Sequence, residues 1–300
     1  MSSSLLTNNA AMTALQSLNM TQQTLAKYEN QVSTGLKINS AADNASYWSI
    51  ATSMSSQTSA LGAVSNALSE SGSMLSTMSN ALQQTVSVMD NIQNDLLTAL
   101  QPGTDLTKIQ TDIQTQQQML LSYGNSATFN GQNLLANAGT ASVNLVASYD
   151  QTNGPSYITI DTSQTALFTP GSDQASAAGA GILDKAGASF ASASILSLSV
   201  TASGITTGDI SNMLSDVQTA LQSIESAASV IGADQTNVTD QQNFVSNLSD
   251  SLTSGVGALV DADMNQASTK ISALQVQQQL GVQALGIANS NTQMILRLFQ

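Results

Sequence analysis

The sequence predicts a mainly α protein: a long antiparallel helical bundle or coiled coil formed by its N- and C-terminal segments, with a small β-hairpin region in the middle. Three observations predict it. Apolar residues recur at alternating three- and four-residue steps over four long stretches, the pattern of helices packed along their whole length. The period changes only between Gly124 and Gly208. Charged residues make up 8% and aromatics 4% of 300 residues, against roughly 25% charged in an average soluble protein. Ala, Ser, Thr, Asn and Gln fill the space instead, a composition suited to an elongated helical chain.

The first stripe runs Ala11, Leu15, Leu18, Gln22, Leu25, Glu29, Val32, Leu36, with six of eight positions apolar. The second starts at Leu61 and ends at Ala99, with ten of twelve apolar. It resumes after the Pro102-Gly103 break as Leu106, Ile109, Ile113, Gln116, Leu120, Tyr123. The period then fails. FNGQNLL (Phe129 to Leu135) is a turn followed by apolar residues, and SVNLVAS and SYITID alternate with β-branched side chains around TNGP. This reads as a hairpin. Residues 169–205 are rich in Ala, Gly and Ser and read as a short, permissive, exposed insert, with helical candidates near Leu183 and over Ser192 to Leu198. Helix period returns from Ile210 to Leu252 through Leu214, Val217, Leu221 and Ile224. A last stripe contains Met264, Ala267, Ile271, Leu274, Gln278, Gly281, Leu285, Ala288, Thr292, Ile295 and Phe299. Stripes at both ends suggest that the termini pair with each other.

Composition also excludes functions. There are no Cys and no His, so disulfides, thiol chemistry, the usual zinc ligand sets and a His-based triad are all closed. No Gly-rich phosphate loop follows a strand, and no paired carboxylates point to a pocket. The chain does not read as an enzyme, and no cofactor or metal is implied. Net charge is −13 with six basic residues scattered along the chain, so nothing could neutralise a row of phosphates and nucleic acid is not an expected partner. No apolar run is long enough to span a membrane, and the N-terminus lacks the basic and apolar regions of a Sec-type signal.

The stretch STGLKINSAADNASYWSIA (Ser33 to Ala51) interrupts the first helix with an elaborate turn. Gly35 suits a helix exit through positive φ. Ser40-Ala-Ala-Asp43 fits a capping box with Asp in the Glu position, so a second helix is expected to open at Asn39-Ser40. Trp48 is expected to be a packing residue. Asp261 and Asp263 are expected to cap the last helix at its N-terminus and match its dipole.

That stretch resembles the N-terminal signature of bacterial flagellins, in which a Ser-Gly-Leu-Arg-like step leads into Ile-Asn-Ser-Ala and an acidic or amide pair. Lys37 takes the basic position and Asp43-Asn44 the pair. Phe129 to Leu135 is similar to the family's Phe-Asn-Gly turn. ALVDADMNQASTKISALQVQQQLGVQALGIANSNTQMILRLF resembles its C-terminal helix. The three motifs occur in family order, and Tyr47 to Ala51 looks most like the alphaproteobacterial members. The short middle departs from family members that carry extra outer domains.

The resemblance implies a structural subunit of the flagellar filament, a head-to-tail helical homopolymer that serves as the propeller for swimming. It implies three parts: residues 1–38 plus 259–300 as the inner tube, 39–168 plus 206–258 as a helical bundle with its hairpin, and 169–205 as a variable surface insert. The assembly stripe would be Leu15, Leu18, Leu25, Val32, Leu36, Ile271, Leu274, Leu285, Ile295 and Phe299. The motif turn would be Gly35, Leu36, Lys37, Ile38, Asn39, Ser40 and Asp43. Further implied partners are hook-associated and cap proteins, the flagellar export apparatus and an export chaperone. Localisation would be extracellular, after passage through the flagellar type III system without a cleaved signal. The helix at Val86 to Leu100, where family members seen by the vertebrate toll-like flagellin receptor carry arginines, has no Arg or Lys here, so weak or no activation is expected. Two other readings stay open: the hook–filament junction protein of the same family, and a coiled-coil secreted effector or adhesin.

Overall fold

A computed structural model describes residues 8–137, 142–173, 179–190 and 193–298, with side chains of the last helix described to Ser290. Its α-helices are α1 (Asn9–Thr34), α2 (Ala45–Ala99), α3 (Leu106–Ser126), α4 (Thr207–Val260) and α5 (Met264–Leu298). An antiparallel hairpin, β1 (Ser142–Asp150) with β2 (Gly154–Asp161), lies between α3 and α4. The mainly α class with a small central hairpin is as the sequence predicts. By contact density the chain divides into residues 1–58 with 250–300, and residues 59–249.

The second unit holds the dense core. Along α2, Leu61, Leu68, Leu75, Met78, Leu82, Met89, Ile92 and Leu96 are buried at the positions of the predicted stripe. A Cβ on Gly72 would meet the Val238 side chain of α4 at 3.7 Å, so Val238 packs over the bare backbone of Gly72. Over the first half of α4 the buried apolar set is Ile210, Met213, Val217, Ala220, Ile224, Ala227 and Ile231, and Val238 and Val245 continue it. It shares every second position with the predicted stripe, but Met213, Ala220 and Ala227 replace Leu214, Leu221 and Ala228. Helix α3 starts on Asp105, whose carboxylate accepts from the Thr107 and Lys108 amides. It buries Ile109, Ile113 and Leu120.

The hairpin closes through Asp150, which accepts from the Thr152 and Asn153 amides, and through Gly154 at φ 79°. A bulge sits between Val146 and Ser148. The Phe-Asn-Gly turn is tight: Asn130 and Gly131 both have positive φ, and Phe129 and Gln132 exchange two backbone hydrogen bonds of 2.9 Å.

Residues 169–205 correct the exposed reading. Leu183, Ile195, Leu196, Leu198 and Val200 are buried, and so are the carboxylate of Asp184 and that of Asp216 on α4. Asp184 accepts from the amides of Thr169 and Gly181 and from the Ser172 hydroxyl. Asp216 accepts from the amides of Ser189 and Phe190. On α3, Gln117 donates to the carbonyls of Ile195 and Leu198, and Gln110 accepts from the Val200 amide. Side chains of the helices thus satisfy backbone groups that have no ladder of their own. No helix forms at Leu183. The second helical candidate is a single 3-10 turn, Ile195–Ser197, and Ala191 and Ser192 lie outside the described residues.

Candidate functional site

In the first unit, α1 and α5 pack along each other. Their register is antiparallel. The Asn8 amide group donates to the Ala288 carbonyl at 2.9 Å, a Cβ on Gly281 would lie 3.3 Å from Leu18, and the Ala262 amide donates to the Gly35 carbonyl. The α5 seam is Ala267, Ile271, Leu274, Gln278, Gly281, Leu285 and Ala288, each shielded while its neighbours are exposed. This is the predicted stripe. The α1 seam is Ala11, Ala14, Leu18, Thr21, Leu25, Tyr28 and Val32, all half-buried. It keeps the predicted Ala11, Leu18, Leu25 and Val32 but replaces Leu15, Gln22 and Glu29. The predicted sequence of steps began with four residues where the helix uses three.

Leu15 therefore lies outside the seam. Met12 and Met20 project from the face of α1 turned away from α5, and Leu15 stands on the flank between that face and the seam, as residues 12 to 20 follow at about 100° each from a seam centred on Leu18 and Leu25. On α5, Val276, Leu280 and Ile287 likewise sit opposite the seam. These six side chains are between 49% and 63% exposed. No residue of α1 is buried. Each terminal helix carries two apolar stripes, and only one of them is covered. Sequence reading missed the second stripe. Its signal was available: apolar side chains at helical spacing off the first stripe, at Met12 and Met20 and at Val276, Leu280 and Ile287. The Ile295 side chain and Phe299 lie outside the described residues.

Helix α1 ends at Gly35, left-handed at φ 74°, whose amide donates to the Gln31 carbonyl. A Cβ there would meet nothing within 4 Å, so glycine is required by the backbone angle alone. Leu36 then pairs with Asp261 in a short antiparallel bridge. The amides of Lys37 and Ile38 both donate to the Val260 carbonyl, at 2.6 and 3.3 Å. The link from α1 to α2 and the link from α4 to α5 are thereby clasped side by side. Ile38, Ala51 and Val260 form a small core beneath the clasp, with Leu36, Val256 and Leu259 against it.

Next in the chain, Asp43 folds back on the turn. Its carboxylate accepts from the Ser40 hydroxyl and from the Ser40 and Asn39 amides, at 3.1 to 3.2 Å. The Ser40 hydroxyl, with the two amides, holds the Asp43 carboxyl below its ordinary value, and the Lys27 charge adds to the effect. The Ser40–Asp43 bonds exist, but they close a turn and not a helix. The helix start is corrected to Ala45, capped by Asn44, whose side chain accepts from the Ser46 and Tyr47 amides. Three side chains of its first turns, Tyr47, Trp48 and Ile50, stand exposed, so Trp48 does not have the packed role expected of it. Asp263 caps α5, accepting from the Asn265 and Gln266 amides. Asp261 caps nothing and belongs to the clasp.

The cleft beside the clasp, of about 440 Å³, is lined by Lys27, Lys37, Asp43, Tyr47, Asp263 and Gln266 among others. It has no nucleophile with a base beside it. Among the described residues no acidic cluster could hold a metal ion, and no helix is long and apolar enough to cross a membrane. What the unit offers chemically is surface for association.

Comparison with known proteins agrees with that character. Residues 5–140 match the family model for the bacterial flagellin N-terminal helical region, and residues 214–299 match that for the bacterial flagellin C-terminal helical region. The chain is similar to a flagellin of Brucella melitensis biotype 1, 41% identical over 301 residues and covering 99% of each chain. It is similar to flagellin C of Rhizobium meliloti, 35% identical over 321 residues with 99% of each covered. A third relative, flagellin A of Rhizobium meliloti, is 31% identical over 399 aligned residues, with 99% of this chain covered.

Proposed function

The chain belongs to the bacterial flagellins and is a structural subunit of the extracellular flagellar filament, a homopolymer and not an enzyme; on that premise, we propose that its subunits join through the uncovered stripes of α1 and α5. The observation that carries this reading is the double stripe. Leu18, Leu25, Val32, Ile271, Leu274 and Leu285 hold the pair together, while Met12, Leu15, Met20, Val276, Leu280 and Ile287 stay exposed for neighbouring copies. Burying such a side chain contributes roughly 1.5–3 kcal/mol. Repeated over head-to-tail contacts that do not close a ring, this builds an open helical filament.

In this reading residues 1–38 with 259–300 form the inner tube, 39–168 with 206–258 the bundle around it, and 169–205 an insert folded on that bundle. The terminal pair, with no buried residue on α1, gains its order on assembly. The motif turn from Gly35 to Asp43 fixes where the tube segment departs. Export as an unfolded chain through the flagellar type III channel suits a sequence without Cys. Hook-associated proteins, the cap protein and an export chaperone are the further partners. No Arg or Lys occurs in Val86 to Leu100, so a toll-receptor reporter cell is expected to respond weakly; a response equal to that of a strong agonist would overturn this point.

The test is seeded polymerisation of the full chain beside Leu280→Asp and a chain lacking residues 1–36, viewed by electron microscopy. Filaments from the native chain alone are expected. Normal filaments from Leu280→Asp would remove the second stripe from the interface.

A further inference from the structure

The methionines of this chain are sorted by position. Of eleven, Met78, Met89 and Met213 are fully buried and Met74 nearly so, all in the second unit. Met12 and Met20 are instead more than half exposed, on the uncovered face of α1. They lie two helical turns apart and line one shallow groove of about 550 Å³ with Asn9, Thr13, Gln16 and Asn19. Met119 on α3 and Met264 at the start of α5 are also exposed, but neither lies on that face.

We propose that the Met12 and Met20 thioethers are sites of oxygen transfer from hydroperoxides, and that their sulfoxides block filament growth. The proposal rests on the reading that this face of α1 joins subunits. The sulfur attacks the outer peroxide oxygen, and the O–O bond breaks as the S–O bond forms. Sulfur loses two electrons, and the leaving oxygen keeps the pair and takes the proton, giving water from hydrogen peroxide or an alcohol from an alkyl hydroperoxide. The product is polar and chiral where the parent was apolar and pliant. A sulfoxide oxygen accepts hydrogen bonds that a packed interface would have to supply. Two such groups on one face of each subunit recur at every contact of the polymer. A monomer is open to the reaction, whereas a subunit already in the filament has these sulfurs covered. Oxidation therefore acts on growth and not on standing filament, and it is reversible by a methionine sulfoxide reductase.

The experiment treats full-length monomer with hydrogen peroxide, maps sulfoxides by peptide mass spectrometry and measures the critical concentration for seeded polymerisation. Met12 and Met20 are expected to oxidise at least about tenfold faster than Met78 and Met89, in line with access to the sulfur. The critical concentration is expected to rise at least about tenfold, and sulfoxide reductase to restore it. The M12L/M20L chain is expected to polymerise equally well with and without peroxide. Preformed filaments are expected to protect both residues. The inference is overturned if chains carrying both sulfoxides polymerise at the untreated critical concentration. It is equally overturned if M12L/M20L loses as much as the native chain, which would point to another methionine, such as Met119 or Met264. Should M12L/M20L fail to polymerise at all, native chains fractionated by sulfoxide position decide: those oxidised at Met12 and Met20 alone are expected to show the raised critical concentration, and a normal value overturns the inference. Leu280→Asp, read without peroxide, tests the underlying interface separately.

Discussion

Helices α1 and α2 carry the same kind of stripe and meet different fates. On α2, Leu61, Leu68, Leu75 and Leu82 are wholly buried. On α1, Leu18 and Leu25 are only half-buried and no residue is buried. The difference lies in what surrounds each helix. Around residues 61–99, α3, α4 and the segment after Phe168 contribute buried side chains such as Leu120, Ile224, Leu196 and Phe168 itself. A Cβ on Gly124 would come within 2.5 Å of the Phe168 ring, which shows how closely that unit is filled. Among the described residues, helix α1 packs along its length against α5. Heptad spacing thus announces a packed face without saying how many partners cover it, and the half-covered helix is the one left with material for contacts beyond its own chain.

The largest expected effect tests the filled side of this comparison. Leu68→Ala should destabilise the monomer by about 2–5 kcal/mol, the range for a buried Leu truncation, measured by denaturant unfolding of the full chain through far-UV circular dichroism. Leu18→Ala on the half-covered side should cost the monomer under about 1.5 kcal/mol. Equal losses would break the comparison. An intermediate effect is expected at the end of α1. Gly35→Ala places a Cβ at φ 74° with no contact to relieve or worsen it, so about 1–2 kcal/mol of backbone strain should appear. Hydrogen exchange should accelerate at the amides of Lys37 and Ala262 and leave α3 unchanged; unaltered exchange in the clasp would show that the turn tolerates the change.

The smallest effect sharpens the electrostatics of the filled unit. Asp95 accepts from the Gln116 side chain. Burial pushes its carboxyl above the ordinary value, the Gln116 hydrogen bond pulls it back, and nearby Asp112 adds to the rise. A carboxyl that titrates higher in the folded state than in the unfolded chain penalises folding once ionised. The penalty is complete above the folded value and fades as pH falls through it. Asp95→Asn should therefore raise the melting temperature slightly at pH 7 and leave it unchanged near pH 3. A loss of stability at pH 7 would show that the hydrogen bond outweighs the burial.

Much of this was legible in the residues. The α2 and α5 stripes were read in phase because their largest regularly spaced side chains, such as Leu61, Leu68 and Leu75 or Ile271, Leu274 and Leu285, do lie on the covered face. The α1 and α4 stripes were read half out of phase because Leu15, Leu214 and Leu221 drew the pattern toward larger side chains. The seams run instead through Ala14, Thr21 and Tyr28, and through Met213, Ala220 and Ala227. Ala14, Thr21, Ala220 and Ala227 are small residues that let helices approach, and a count of apolar bulk does not register them. The helix start slipped from Asn44 to Ser40 because both offer an oxygen to free amides, and only the chain direction after Asp43 separates them. The segment after Phe168 was opaque for a different reason. Its order comes from Asp184, Asp216, Gln110 and Gln117, which bond to backbone far away in sequence or without any local period. No window-based reading finds such partners.

The clasp at Gly35 to Ile38 and Val260 to Ala262 has a mechanical consequence. A linker made of one strand swivels freely about its single bonds, so a twist applied at one end dissipates there. Here two strands of opposite direction leave together, tied by backbone hydrogen bonds at Lys37, Ile38 and Ala262 and seated on Ile38, Ala51 and Val260. Rotating one strand about the other must break those ties. A twist entering through the first turns of α2 or the last turns of α4 therefore reaches α1 and α5 through those ties, all of them within the first unit.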